Sequence, residues 1–473
     1  MATRDYELVI LGHGSAAFAA AIKANELPVT TAMIGTNETN GTLLGGTCVN
    51  VGCVPSKNLL FVGSSYFEAV REPFEAVRYG KTKLDFAKAI AEKDTLVRKF
   101  RKEKYLDVLK NLTNVEYIQG EGRFISKDEV KVGRRTISGR KFLIATGARA
   151  SIPRIEGIES VNHLTNEEAL NLRKLPKSMI VVGGRALGLE FAQMYAHFGS
   201  KVTLLQRSHS ILPDYEPEIS SSLSGYLKEE GIRIYTGVEL EGVSQSGGMK
   251  SVRTMVNGVR RKFEAEELLF ATGRTPNTDR LESDKAGVTL DEKGFVKVNE
   301  EMQTTAPHVW AAGDATGEPM LETVAAKEGS LAVNNAFSGS KKHINFTEVP
   351  KAVFTYPEVA SVGLTEAETN GHGIKCACGI LPMDFVPKAN ITGDTRGLVK
   401  LVADNQTKQI VGVHIVAPHA ADLIHEGVLA VKYKLTVDDI IDTVHVFPTL
   451  SESIKLAAQS FYRDVGSLSC CIE

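Results

Sequence analysis

The 473-residue sequence predicts an α/β fold: two similar parallel-sheet units, one nested in the other, followed by an α+β domain of different character. Three observations predict it. A strand, a glycine turn and an Ala-rich helix open the chain at Tyr6, and a second strand–glycine turn–helix opens at Met179. Each unit closes on a matching apolar strand and turn, Phe142-Leu143-Ile144-Ala145-Thr146-Gly147 in the first and Leu269-Phe270-Ala271-Thr272-Gly273 in the second. From about residue 346 the glycine turns stop, while strands and helices continue.

The first element, Tyr6-Glu7-Leu8-Val9-Ile10-Leu11, reads as a buried parallel strand running into Gly12-His13-Gly14-Ser15-Ala16-Ala17. This is a dinucleotide fingerprint in its G-x-G-x-x-A form. Gly12 makes the turn, Gly14 admits a pyrophosphate, and small Ala17 lets helix and strand pack closely. A second strand is expected around Val29 to Ile34, followed at Gly35 by a polar loop to Asn40. Leu84 to Leu112 reads as a long amphipathic packing helix, and Asn114 to Val132 as strands or a hairpin.

Between these lies Gly45-Gly46-Thr47-Cys48-Val49-Asn50-Val51-Gly52-Cys53-Val54-Pro55-Ser56-Lys57. Two cysteines this close, after paired glycines and at a helix start, can close a small reducible disulfide. Unpaired N–H groups and the helix dipole there stabilise a thiolate. A redox dithiol is the expectation; a zinc site or two buried thiols are the alternatives.

Composition narrows the classes. An apolar fraction of 43% and a charged fraction of 24% are those of an ordinary globular protein, and a formal charge of −2 argues for neither nucleic acid nor an acidic membrane surface. Six cysteines in so long a chain are no secreted disulfide framework, and no apolar run reaches the length of a membrane span. A cytoplasmic protein is expected.

In the nested unit, Ile180-Val181-Val182-Gly183-Gly184-Arg185-Ala186-Leu187-Gly188-Leu189-Glu190 repeats strand, turn and helix, with Arg185 in the place of the second glycine. The next strand, from Lys201, ends in Gln206-Arg207. An acidic residue there would read the ribose 2′-OH of NAD, whereas Arg207 pairs with a 2′-phosphate, so NADPH is expected. Val309-Trp310-Ala311-Ala312-Gly313-Asp314 returns to the first unit. Cys376 and Cys378 fall on a predicted strand and receive no assigned function.

The Cys48–Cys53 stretch resembles the redox-active disulfide helix of the flavoprotein disulfide reductases. With both fingerprints, Gly313-Asp314 and Val353-to-Gly363 in family order, the resemblance covers nearly the whole chain. It implies two nested Rossmann-like domains: FAD-binding over 1–152 and 274–346, and NADPH-binding over 153–273. A dimerisation domain over 347–473 would make a homodimer with active sites at the subunit interface. It implies cofactor contacts at Gly12, Gly14, Ala17, Gly46, Thr47, Thr146, Gly147, Gly183, Gly188, Arg207, Gly273 and Asp314. It places Cys53 against the flavin and leaves Cys48 to exchange with substrate, with Lys57 and Glu190 paired near the flavin N5. One departure is Gly35, where the family usually carries a ribose-binding Glu.

Two features separate branches of the family. Disulfide reductases end in His-x-His-Pro-Thr-x-Ser-Glu, whose second His moves protons for a thiol substrate. Here His445-Val446-Phe447-Pro448-Thr449-Leu450-Ser451-Glu452 puts Phe447 in that place, which carries no proton. The chain also ends in Cys470-Cys471-Ile472-Glu473, a pair poorly placed to staple a fold. With Ser56-Lys57, these features are similar to the branch that reduces mercuric ion. That resemblance implies Cys470 and Cys471 taking Hg(II) from small thiol complexes and passing it to Cys48 and Cys53, with NADPH and FAD supplying electrons. The metal-carrying N-terminal domain common in that branch is not expected, since the chain opens at the first strand. A lipoamide- or thioredoxin-type disulfide reductase and a metal-binding or redox-sensing flavoprotein without turnover remain open alternatives.

Overall fold

The computed structural model describes residues 5–36, 44–71, 74, 76–77, 80, 82–464 and 466. The described residues cluster into two compact units: 1–58, 88–152 and 273–344 in one, and 59–87, 153–272 and 345–473 in the other.

In the first unit the strand Tyr6–Leu11 lies between Thr31–Gly35 and Arg135–Ile144, parallel to both. Val115–Gln119 adds in parallel outside Thr31–Gly35, and Val309–Ala311 adds in parallel to Arg135–Ile144. Strands buried on both faces need unbroken apolar runs, and Leu8 to Leu11 are all at most 2% exposed. The expected hairpin region forms Gly122–Ser126 and Glu129–Val132, which meander antiparallel onto Arg135–Ile144. Ser15–Glu26, small and Ala-rich, packs on the helix Glu322–Ser338. Gly329 permits this contact, because a Cβ there would stand 2.0 Å from the Ala16 carbonyl oxygen.

The long expected helix forms with one irregularity. An α-helix over Phe86–Arg101 widens into a π turn over Lys102–Leu106 before closing as Asp107–Lys110. Such single wide turns cluster at functional sites.

The second unit holds a parallel sheet in the order Arg233–Tyr235, Lys201–Leu205, Ser178–Val182, Glu267–Phe270, with the helix Ala186–Phe198 following its glycine turn. It also holds a five-stranded antiparallel sheet containing Glu358–Gly363, Cys376–Pro382, Leu398–Asp404 and Ile410–Ala417. That sheet packs with the helices Ala420–Tyr433 and Glu452–Gln459 around Val399, Leu401, Val413 and Ile415, all fully buried. Among the described residues, no helix is long and apolar enough to cross a membrane.

Candidate active site

Cys48 sits in the six-residue helix Gly46–Val51, and Cys53 begins the nineteen-residue helix Cys53–Arg71. Positive φ at Gly45 and Gly46 turns the chain into the first helix, and a Cβ on Gly45 would strike Val49 and the Tyr105 ring. Gly52 breaks the two helices apart and lets Cys53 fold back, since a Cβ there would lie 3.2 Å from Cys48 Cα. Pro55 falls in the first turn of the second helix, where its missing N–H costs nothing. Asn50 braces the turn: its Nδ2 donates to Gly46 O at 2.8 Å, and its Oδ1 accepts from Arg101 Nε at 2.8 Å.

Neither cysteine is in a disulfide, and the two thiols hydrogen-bond each other. That bond to Cys53 pushes the Cys48 thiol strongly upward, helped by burial and by charge on Cys53 and Glu322; the Cys53 backbone N–H opposes it. The general expectation of a stabilised thiolate therefore does not extend to Cys48. The start of the longer helix is at Cys53, so the dipole acts at Cys53, and a dithiol sharing a proton resists losing the second one.

The π turn brings Tyr105 to this site. Its ring packs edge-on to Phe18 at 4.8 Å between centroids, its oxygen accepts from the Ser15 hydroxyl, and burial raises it to about 12 with Cys48 adding to the shift. No local sequence signal marks Tyr105, because its place beside the dithiol comes from an irregular turn.

The glycine turns fit a dinucleotide. A Cβ on Gly12 would stand 2.0 Å from Ala145 O, and one on Gly46 would stand 2.7 Å from Gly14 Cα, so backbones meet here without side chains between them. Ala17 is fully buried. No side chain among the described residues caps the helix after Gly14 and its first turn carries no acid, as suits an anion. Thr146 Oγ1 is buried with no hydrogen-bond partner among the described residues, an acceptor and donor aimed for a ligand. Arg274 joins the parts: Nη2 reaches Thr47 Oγ1 at 3.4 Å and the Ala148 carbonyl, and Nε lies 3.2 Å from Asp314 Oδ2. Burial raises Asp314 above the usual carboxylate range, and Arg274 opposes the shift. Buried Glu328 fixes the Gly313–Asp314 turn by accepting the Gly313 N–H at 2.7 Å. Gly147 and Gly273 take positive φ at their strand ends.

His13 accounts for the departure at Gly35. Its ring fills the space where a Cβ on Gly35 would go, 2.4 Å from Nδ1, and Nδ1 accepts from the Thr36 N–H at 2.9 Å.

In the second unit, Cβ atoms on Gly183 and Gly188 would stand 2.2 Å from Ala271 O and 1.9 Å from Gly183 O. Arg185 is engaged by Asp214 through both terminal guanidinium nitrogens, which answers its place in the fingerprint with a local counter-charge. Gln206 is buried and accepts the Gly184 N–H at 2.8 Å, while Arg207 beside it is exposed. Glu190, 4% exposed, accepts the Phe354 N–H at 3.0 Å. Lys57 belongs to the first unit and Glu190 to the second.

Near the chain end, Phe447 is 51% exposed. Glu452 accepts the Thr449 N–H at 3.3 Å, and His445 Nε2 pairs with Glu426 at 2.9 Å. Cys470 and Cys471 lie outside the described residues. Burial and Glu366 raise the Cys378 thiol to about 12.

The pyridine nucleotide-disulphide oxidoreductase family matches residues 6–329, and its dimerisation domain matches 349–458. The chain is 42% identical to a mercuric reductase of Lysinibacillus sphaericus over 467 residues, 99% of this chain and 84% of the relative. It is 39% identical to one of Streptomyces lividans, covering 98% of both chains. Among solved structures it resembles the Cu(II) complex of the HOCl-induced flavoprotein disulfide reductase RclA from Escherichia coli, with a TM-score of 0.86 at 28% identity over 98% of this chain and 100% of that one. The dithiol turn, the two glycine turns and these matches together place the chain in the pyridine nucleotide-disulphide oxidoreductase family.

Proposed function

We propose that the chain is an NADPH-dependent, FAD-containing mercury(II) reductase. The observation that carries this reading is the combination of an intact Cys48–Cys53 dithiol with Phe447 at the place of a proton-shuttling His, Glu452 being turned to a backbone N–H instead. A disulfide substrate needs a proton carrier there; a metal ion does not. The likeness to relatives called mercuric reductases supports the same reading.

Segments 1–152 and 274–346 hold FAD in this reading, 153–273 hold NADPH, and 347–473 pair two chains, as the matched dimerisation domain supports. FAD, when bound, takes two electrons from NADPH and passes them to the dithiol site. Gly12, Gly14 and Gly46 give the pyrophosphate its backbone approach, Thr146 offers a buried hydroxyl and Asp314 a half-buried carboxylate, and Arg274 holds the dithiol helix and Asp314 together. Lys57, on the dithiol helix, sets the charge near the reacting ring in this reading.

Hg(II) arrives as a complex with two small thiols, and Cys470 and Cys471 are its first acceptors. At the dithiol, each new bond from a cysteine sulfur to Hg(II) replaces one bond to a carrier sulfur. The carrier leaves as a thiol with the cysteine's proton, which the upward-shifted Cys48 retains until that exchange. Two electrons then convert dithiolate-bound Hg(II) to Hg(0), and the sulfurs regain their protons from water.

The test is NADPH oxidation with Hg(II)–glutathione, oxidised glutathione, lipoamide or thioredoxin offered separately. Hg(II) should stand well above the other three. Equal or faster turnover of any disulfide would return the chain to the disulfide-reductase class.

A further inference from the structure

We infer that Cys376, Cys378 and Glu366 form a second site, one that binds a thiophilic metal cation without reducing it. It shares no residue with the dithiol helix and does not depend on the activity proposed above.

The strand Cys376–Pro382 pairs antiparallel with Leu398–Asp404, Cys376 opposite Asp404 and Cys378 opposite Val402. Alternate residues of a strand share one face, so both sulfurs project to the same side. Glu366 opens the helix Glu366–Gly371, fixed in place by a Thr365–Glu368 capping box. The two Sγ atoms and a Glu366 carboxylate oxygen lie within 4.8 Å of one another. Bonds of about 2.3 Å to sulfur and about 2.1 Å to oxygen separate the ligands of a three-coordinate ion by about 4 Å. The three ligand atoms thus stand close to the spacing a bound ion would impose.

The surroundings hold the ligands in place. Thr369 Oγ1 donates to Cys376 Sγ at 3.2 Å, and the Cys378 thiol bonds to Glu366. Lys400 Nζ contacts Glu366 at 2.8 Å, Glu216 at 3.0 Å and Glu218 at 3.0 Å. One ammonium among three carboxylates leaves the neighbourhood acidic, as suits a cation. Both thiols are half-buried, within reach of solvent.

Two sulfurs with one oxygen select soft ions such as Hg(II), Cd(II) or Cu(I) over Mg(II) or Ca(II). A disulfide is the competing fate. Residues two apart on a strand hold their Cα atoms about 6.8 Å apart, at the outer limit for a disulfide, whereas a metal bridges sulfurs about 4 Å apart. Binding is an exchange: a divalent ion forms two bonds to sulfur, and two thiol protons leave to water or to the ion's former thiolate ligands.

The experiment uses the full chain with Cys48, Cys53, Cys470 and Cys471 changed to Ser, FAD retention serving as the folding control. Cd(II) is added in competing glutathione, and binding is read as thiolate-to-metal ultraviolet absorption and as metal retained after desalting. The expected result is one Cd(II) per chain, lost when Cys376→Ser and Cys378→Ser are added, and weakened by Glu366→Gln. No retained Cd(II) in the four-fold variant, or equal retention after the further pair is removed, would overturn the site. Either failure leaves the dithiol reading standing, because Cys48 and Cys53 are already absent from the assay.

Discussion

Replacing Glu328 by Gln removes a buried charge from behind the Gly313–Asp314 turn. Glu328 is 3% exposed, and burial, with a smaller push from Asp314, lifts its carboxyl to about 7 from an ordinary 4.5. Below the ordinary value both folded and unfolded chains hold the proton, so the group leaves stability unchanged. Between the two values only the unfolded chain releases it, and stability falls as pH rises. Above about 7 the loss is complete, and at ~1.4 kcal/mol per pH unit it reaches about 3 kcal/mol. Gln keeps an acceptor for the Gly313 N–H, and the value of about 7 already includes what that bond returns to the charged form. Glu328→Gln should therefore stay within about 1 kcal/mol of wild type near about pH 5 and gain about 3 kcal/mol near about pH 8.5. Urea unfolding of the FAD-loaded protein at both pH values measures it. An equal loss of stability at both would show that Glu328 does not titrate as the structure implies.

The other expectations concern electrons and metal. Exposed Arg207 beside buried Gln206 favours NADPH, so Arg207→Glu should cost about 1–3 kcal/mol of NADPH preference in kcat/KM; equal use of NADH by wild type would remove the charge-pairing argument. Arg274 ties Thr47 to Asp314, so Arg274→Ala should weaken FAD retention on dialysis, and unchanged retention would show that the link is dispensable. The tail cysteines should serve the partner's dithiol. A mixed dimer of one chain with Cys48→Ala and Cys53→Ala and another with Cys470→Ala and Cys471→Ala keeps one working site only if delivery crosses the interface. Supplying Hg(II) on a bulky thiol, and finding no turnover in the verified mixed dimer, would exclude that route.

Much of the frame was legible because it rests on local pattern. Apolar runs ending in Gly12 and Gly183, paired glycines before Cys48, and the alternation placing Cys376 with Cys378 each follow from a few neighbouring residues. What escaped depends on distant partners. The Glu328 bond to Gly313, Asp214 on Arg185, Glu426 on His445 and Arg274 between Thr47 and Asp314 join residues far apart in the chain. Tyr105 escaped for another reason: a π turn shifts the helical register, so regular spacing misplaces its side chain. His13 shows the limit from the opposite side. Gly35 read as a missing ligand, yet the structure needs Gly there because an imidazole already fills the space.

The central claim is that electrons from NADPH end on mercury through Cys48 and Cys53. Its most direct test purges a sealed reaction of protein, NADPH and Hg(II)–glutathione with inert gas and traps elemental mercury. The account predicts Hg(0) released mole for mole with NADPH consumed, and release abolished in both Cys48→Ser and Cys53→Ser while FAD is retained. NADPH consumed without mercury vapour, or vapour undiminished in either variant, would contradict it.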